Sequence, residues 1–212
     1  MPRKKLQKIE ALHHLDNVIE INDPNLKNKL ANFFGHNKKI TLELGCGKAE
    51  YTLALAQEYP QEKFIGIDIQ GERLWHGASE ALNKRLDNVL FLRMPVENIA
   101  AFLPKHSIKE IWLTFPDPQS KKGKIKKRLS SPRFLKIYKN ILSVNGLINL
   151  KTDNYNLFVY SQESIKEQGG KILTANSINL DENTETKLKI TTTYENIYRK
   201  QNKDIYYLKA SL

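Results

Sequence analysis

The stretch Ile40-Thr41-Leu42-Glu43-Leu44-Gly45-Cys46-Gly47-Lys48-Ala49-Glu50 constrains this chain more than any other. Ile40, Leu42 and Leu44 read as a strand buried among others, and Gly45 and Gly47 let the backbone turn sharply enough for a ligand to approach it closely. Tyr51, Leu53, Ala54, Leu55 and Ala56 then predict a helix with no proline before Pro60, so the turn feeds a helix N-terminus and its unpaired N–H groups. The run Phe64-Ile65-Gly66-Ile67-Asp68-Ile69 reads as the second strand. Asp68 follows Gly45 by roughly the 20 residues at which a doubly wound fold sets a carboxylate against ribose hydroxyls. The third glycine of the dinucleotide fingerprint is replaced by Glu50, whose charge would oppose a pyrophosphate, so the turn suits a cationic adenosyl cofactor better. The plainer alternative is a parallel strand ending in an ordinary glycine turn.

At 212 residues the length favours one domain over two, with residues 1–212 as a single domain and 1–10 as a mobile basic tail. Lys and Arg number 34 against 23 Asp and Glu, and the net charge of +11 attracts polyanions, chiefly nucleic acid. No apolar run approaches the length of a membrane span and no signal-peptide core follows the basic start, so the expected compartment is the cytoplasm. Cys46 is the only cysteine, which excludes an internal disulfide and a cysteine zinc cage. His13, His14, His36, His76 and His106 lack ligand spacing, and no metal is expected.

Residues 26–34 predict a helix ended by Gly35, residues 72–86 a second amphipathic helix, 89–92 a third strand, 99–103 a short helical patch and 111–115 a fourth strand. Phe115-Pro116-Asp117-Pro118 must then turn, because two prolines so placed fit no helix or strand interior. Lys121-Lys122-Gly123-Lys124-Ile125-Lys126-Lys127-Arg128 is too charged for core and reads as an exposed basic loop. Ser130 or Ser131 caps a helix with Pro132 in its first turn, closed by Asn145-Gly146. Residues 147–150 read as a fifth strand and 154–168 as a helix ended by Gly169-Gly170. Beyond an irregular polar connection, residues 205–208 join Ile172, Leu173 and Ile178 as an antiparallel edge. The alternation gives an α/β three-layer sandwich, its seven-stranded sheet mostly parallel, with ligands beyond the C-terminal strand ends. Residues 43–47, Asp68, Asp117 and Asp153 fall at or near such ends.

Glu43-Leu44-Gly45-Cys46-Gly47 resembles motif I of class I, Rossmann-like methyltransferases that use S-adenosylmethionine. Phe115-Pro116-Asp117-Pro118 with Lys121-Lys122, Thr152-Asp153 and Thr192-Thr193-Tyr194-Glu195 together resemble the bacterial tRNA (guanine-N7)-methyltransferase family, from about Leu42 to the C-terminus. The resemblance implies methyl transfer from S-adenosylmethionine to N7 of a guanine in the variable region of tRNA. Monomer and homodimer both stay open. The resemblance puts the cofactor at Glu43, Gly45, Gly47, Asp68 and Asp117. It puts tRNA at Lys121, Asp153, Thr192, Thr193, Tyr194 and Glu195. Two positions depart from the family pattern. Met94-Pro95 stands where many members carry Asp-Ala, so a polar adenine contact must come from Arg93, Glu97 or the backbone, and Gln119 replaces a common tryptophan.

Guanine N7 has a lone pair and no hydrogen, so its methylation needs alignment more than a strong base. An ionised Asp can accept from guanine N1–H and N2–H and offset the charge that appears on the imidazole ring. Asp117 is the expected catalytic group, with Asp153 or Glu195 as orienting partner. The lysine run with Arg128 would meet phosphates. On the residues alone, Asp117 can also be a turn or capping acid, Asp153 a cap for the helix at Asn154, and Tyr194-Glu195 a plain strand or loop pair. A methyltransferase for another RNA or a small molecule, and a basic RNA-binding module without catalysis, are the competing readings.

Overall fold

The computed structural model describes residues 3–35 and 40–212, which fall into two compact units divided between Pro104 and Lys105. In the first, α1 (Arg3–Leu12) leads to β1 (Val18–Glu20), α2 (Leu26–Phe34), β2 (Ile40–Leu44), α3 (Glu50–Glu58), β3 (Lys63–Asp68), α4 (Gly71–Asn83), β4 (Val89–Arg93) and α5 (Ile99–Phe102). The strand order is β1-β4-β3-β2 and every pairing is parallel. All five residues of β2 are buried, as a parallel strand covered on both faces requires, and Leu42, Leu44, Ile65, Ile67 and Phe91 form the centre of this core.

Two expectations change here. The basic start is not a free tail from Arg3 on: it is helix α1, with Leu12 fully buried, Lys5 3.7 Å from Glu72 and Lys8 2.7 Å from His76 on α4. Met1 and Pro2 lie outside the described residues, as does His36. β1 is an additional strand, whose three residues are too few to show a period in the sequence. It brings the total among the described residues to eight, where seven were expected.

The second unit contains β5 (Ile108–Thr114), a 3-10 turn (Lys122–Lys127), α6 (Pro132–Ile141), β6 (Leu142–Thr152), α7 (Tyr155–Glu167), β7 (Lys171–Ser177), α8 (Thr186–Lys189), α9 (Thr193–Lys200) and β8 (Tyr206–Ser211). The order is β5-β6-β8-β7, with β5 and β6 parallel and β8 antiparallel to both neighbours. The fold is therefore mixed α/β, mostly parallel, with an antiparallel edge. Asn145-Gly146 does not close α6, which ends at Ile141. The pair lies inside β6, where the pairing with β5 shifts between Ile108↔Leu142 and Glu110↔Leu147. The supposedly irregular connection before β8 contains α8 and α9. The single buried residue of α9 is Glu195, whereas Tyr194 and Ile197 of its apolar set are exposed, so its inner face is charged. Among the described residues no helix is long and apolar enough to cross a membrane.

Candidate functional site

In the first unit the residues between β2 and α3 form a tight turn. Gly45 and Gly47 have φ of 72° and 58°, and the Gly45 and Cys46 amides donate to Ile67 O at 2.8 and 3.1 Å. Asp68, at the end of β3, closes the turn: Oδ2 accepts from Gly47 N at 2.8 Å and Oδ1 from Gln70 N at 2.8 Å. A side-chain carbon built on Gly47 would meet nothing within 4 Å, so the backbone there borders open space. Glu43 is buried, and its Oε2 accepts from Thr52 N at 2.9 Å and from the Thr52 hydroxyl, fixing the first turn of α3. Burial, reinforced by Glu43 and Asp68, pushes the Cys46 thiol well above its usual range, which leaves it protonated and unreactive. Met94 is buried, and Arg93 is committed to Glu20 Oε1 at 2.6 Å.

In the second unit the Pro116-Asp117-Pro118 turn is bracketed by Phe115 and Gln119, both at φ 47°, a conformation costly for a side chain as bulky as phenylalanine. That backbone leaves Asp117 exposed, with Oδ1 accepting from Gln119 N at 2.9 Å. Lys121, Lys122, Lys124, Lys126 and Lys127 are exposed around the 3-10 turn. Arg128 is not part of that cationic face. It is buried, donates through Nε to Pro118 O at 2.9 Å and lies 4.4 Å from the centre of the Tyr160 ring, so it braces the Asp117 turn from behind.

Asp153 is half-buried and takes Lys203 Nζ at 3.4 Å, whereas Asn154 Oδ1, not Asp153, caps α7 by accepting from Leu157 N at 2.8 Å. Thr192 Oγ1 caps α9, accepting from Glu195 N at 3.2 Å, while Thr193 and Tyr194 are exposed, Tyr194 by 56%. Glu195 is fully buried: Oε1 accepts from Arg199 Nε and Nη2 at 3.0 and 2.8 Å, and Oε2 lies 2.6 Å from Lys151 Nζ. The expected four-residue substrate segment thus presents two residues outward and turns its carboxylate inward. Lys151 was not singled out from the sequence. The signal was there, since a lysine ends the otherwise uncharged run Leu147-Ile148-Asn149-Leu150, where a buried strand has no ordinary use for an ammonium group.

A cavity of ≈ 530 Å³ in the first unit, lined by His13, His14, Glu20 and Asp23 among others, contains none of these residues. Among the described residues no group of three or more His, Cys, Asp or Glu could hold a metal ion.

A glycine turn closed by an acid at the end of the next parallel strand is the arrangement of a doubly wound α/β domain that holds a nucleoside cofactor. Residues 37–208 match a family described as putative methyltransferase, and the solved 16S rRNA methyltransferase KamB shares the fold, with a TM-score of 0.68 at 14% identity over 87% of this chain and 93% of that one. The chain is 40% identical to the tRNA (guanine-N(7)-)-methyltransferase of Christiangramia forsetii, across 99% of this chain and 98% of that protein. It is 36% identical to the enzyme of the same name from Cytophaga hutchinsonii, across 99% and 97%. The chain belongs to the tRNA (guanine-N7)-methyltransferase family.

Proposed function

We propose that this chain methylates N7 of a guanine in the variable region of tRNA, with S-adenosylmethionine as donor. The observation that carries the reading is the Gly47 turn closed by Asp68, with open space beside the Gly47 backbone and a carboxylate at the strand end. Family membership narrows it to tRNA. The residues fit the cofactor: Gly45 and Gly47 allow close approach, and each Asp68 oxygen keeps a lone pair for a ribose hydroxyl after accepting one backbone amide. Glu43 supports this cradle through Thr52.

When bound, the cofactor supplies a methyl group on a sulfonium. Gly45, Gly47 and Asp68 would hold that group, and guanine N7, which has a lone pair and no hydrogen, would accept the methyl without a proton to remove, leaving the positive charge on the ring. Asp117 accepts from guanine N1–H and N2–H and offsets the charge on the ring. Alignment of this kind is worth roughly 7–11 kcal/mol in the best intramolecular cases. Thr193 and Tyr194 offer a hydroxyl and a ring to the nucleotide, Thr192 and Asp153 hold that rim in shape, and Lys121 with its neighbours meets phosphates.

Incubation with methyl-labelled cofactor and unmodified tRNA should place label as 7-methylguanosine at one variable-region position. Protein that binds S-adenosylhomocysteine yet leaves no 7-methylguanosine would refute the reading.

A further inference from the structure

Lys151 is fully buried at the end of β6 and takes part in three arrangements at once. Its carbonyl accepts from Phe115 N at 2.8 Å, the residue that starts the Asp117 turn. Its ammonium lies 2.6 Å from Glu195 Oε2 and donates to Leu188 O and Ile190 O at 3.2 and 3.0 Å, the backbone that leads into Thr192. Its chain neighbours Thr152 and Asp153 complete the rim.

Helix α9 repeats the connection from the other side. Glu195 reaches Lys151, the Tyr198 ring packs on Phe115 with centroids 5.8 Å apart, and Lys203 just beyond the helix lies 4.5 Å from the Tyr198 ring centre and 3.4 Å from Asp153 Oδ2. The Asp117 turn, through the Lys151 carbonyl and the Phe115–Tyr198 packing, and the exposed Thr193-Tyr194 pair, through the Lys151 ammonium and Glu195, therefore meet at one residue, with Asp153 joined to α9 through Lys203.

We propose that Lys151 is a positioning residue: its ion pair with Glu195 sets the distance between the Asp117 turn and the Thr192–Tyr194 rim, and Glu195 serves the substrate through Lys151 rather than by touching it. The inference rests on the proposed function for what the rim binds. Stability alone is a poor reason for such a pair. Burial works against the Lys151 ammonium, and replacing both members of a buried ion pair by apolar residues of similar volume is often neutral or stabilising, whereas removing one member is strongly destabilising. What the ion pair adds over an apolar pair is a fixed short contact in one geometry.

The test compares Lys151→Met, Glu195→Met and the double variant by Tm, by kcat and KM for tRNA, by S-adenosylhomocysteine affinity, and by amide hydrogen exchange over residues 114–118 and 190–196. Each single variant should lose Tm. The double variant should regain part of it, since Arg199 and the Leu188 and Ile190 carbonyls still lose a partner, yet keep a kcat lower by about 100-fold, the scale of a misplacement near 1 Å, with unchanged S-adenosylhomocysteine affinity and faster exchange in both segments. Recovery of kcat together with Tm, or wild-type exchange in both segments, overturns the proposal. If the double variant does not regain Tm, kcat and exchange measured below its Tm decide by the same criteria. If the wild-type protein makes no 7-methylguanosine, the proposed function fails, and the exchange rates still judge Lys151.

Discussion

Asp68 and Gly47, 21 residues apart in the chain, meet at 2.8 Å, with the carboxylate of one accepting the amide of the other. The contact ties the end of β3 to the turn after β2, and the same carboxylate takes Gln70 N with its other oxygen. A charge-assisted hydrogen bond of this kind is worth about 1.5–3 kcal/mol, so Asp68→Ala should weaken S-adenosylhomocysteine binding by about 10- to 100-fold in calorimetry. Asp68→Asn keeps one carbonyl acceptor and should lose less. Wild-type affinity in both variants would remove Asp68 from the cofactor site.

Gly77 on α4 supports the same turn by lacking a side chain. A Cβ there would lie 2.7 Å from Ala49 Cβ and 2.8 Å from Lys48 O, and the second of these is backbone that cannot swing aside. Gly77→Ala should therefore lower stability by about 1–3 kcal/mol and push the Lys48-Ala49 turn outward, with cofactor affinity falling too. Thermal melts and calorimetry on one preparation check both effects. A variant unchanged in both would mean that α4 can shift freely.

Exposed lysines and the buried arginine of the same basic run should behave differently. Replacing Lys121, Lys122 and Lys126 by Gln removes three solvent-facing charges, and the slope of log K for tRNA against log salt should become shallower by about 2 to 3. Arg128→Gln removes a guanidinium that serves Pro118 O and the Tyr160 ring, so stability should drop by about 1–3 kcal/mol with the slope unchanged. Filter binding across a salt series, with melts of each variant, separates the two. A slope that responds to Arg128 and not to the lysines would reverse the assignment.

Within the first unit, the β2–α3–β3 segment was legible because its signals are local, whereas α1 and the three-residue β1 were not. Ile40 to Leu44 alternate aliphatic residues into a glycine turn, and β2 runs over those same residues; Asp68 stands where its spacing from Gly45 puts it. The second unit hid what depends on residues far apart. Glu195 was expected at the substrate from the family resemblance, and its long-range contact with Lys151 turns it inward. Arg128 read as one more cation in a basic run until Tyr160, 32 positions later, covered it. Helix α9 escaped notice for the same reason, since its buried contact is ionic and periodicity rules track apolar faces. Asn145-Gly146 carried a turn signal, and the pair falls in the irregularity of β6 between Leu142 and Leu147, which both pair with β5, rather than at the end of α6.

Glu110 and Lys187 give the second unit a pH-dependent component of stability. Burial tends to raise the Glu110 pKa, but hydrogen bonds from Lys187 at 2.8 and 2.9 Å, its charge and the Trp112 indole at 3.0 Å outweigh it, and the carboxyl ends below its usual value of about 4.5. A folded-state pKa that is lowered contributes stability in full above the unfolded value, and that contribution is lost as pH falls through the folded value. The Glu110 contribution to Tm should thus be lost as the pH drops below about 4.5. Glu110→Gln should melt lower at pH 7, because it weakens the Lys187 contact, and should lose less on acidification, so the two melting curves converge at low pH. Melts across a pH series check this, and parallel curves would show that the Glu110 carboxylate adds nothing to the acid limb.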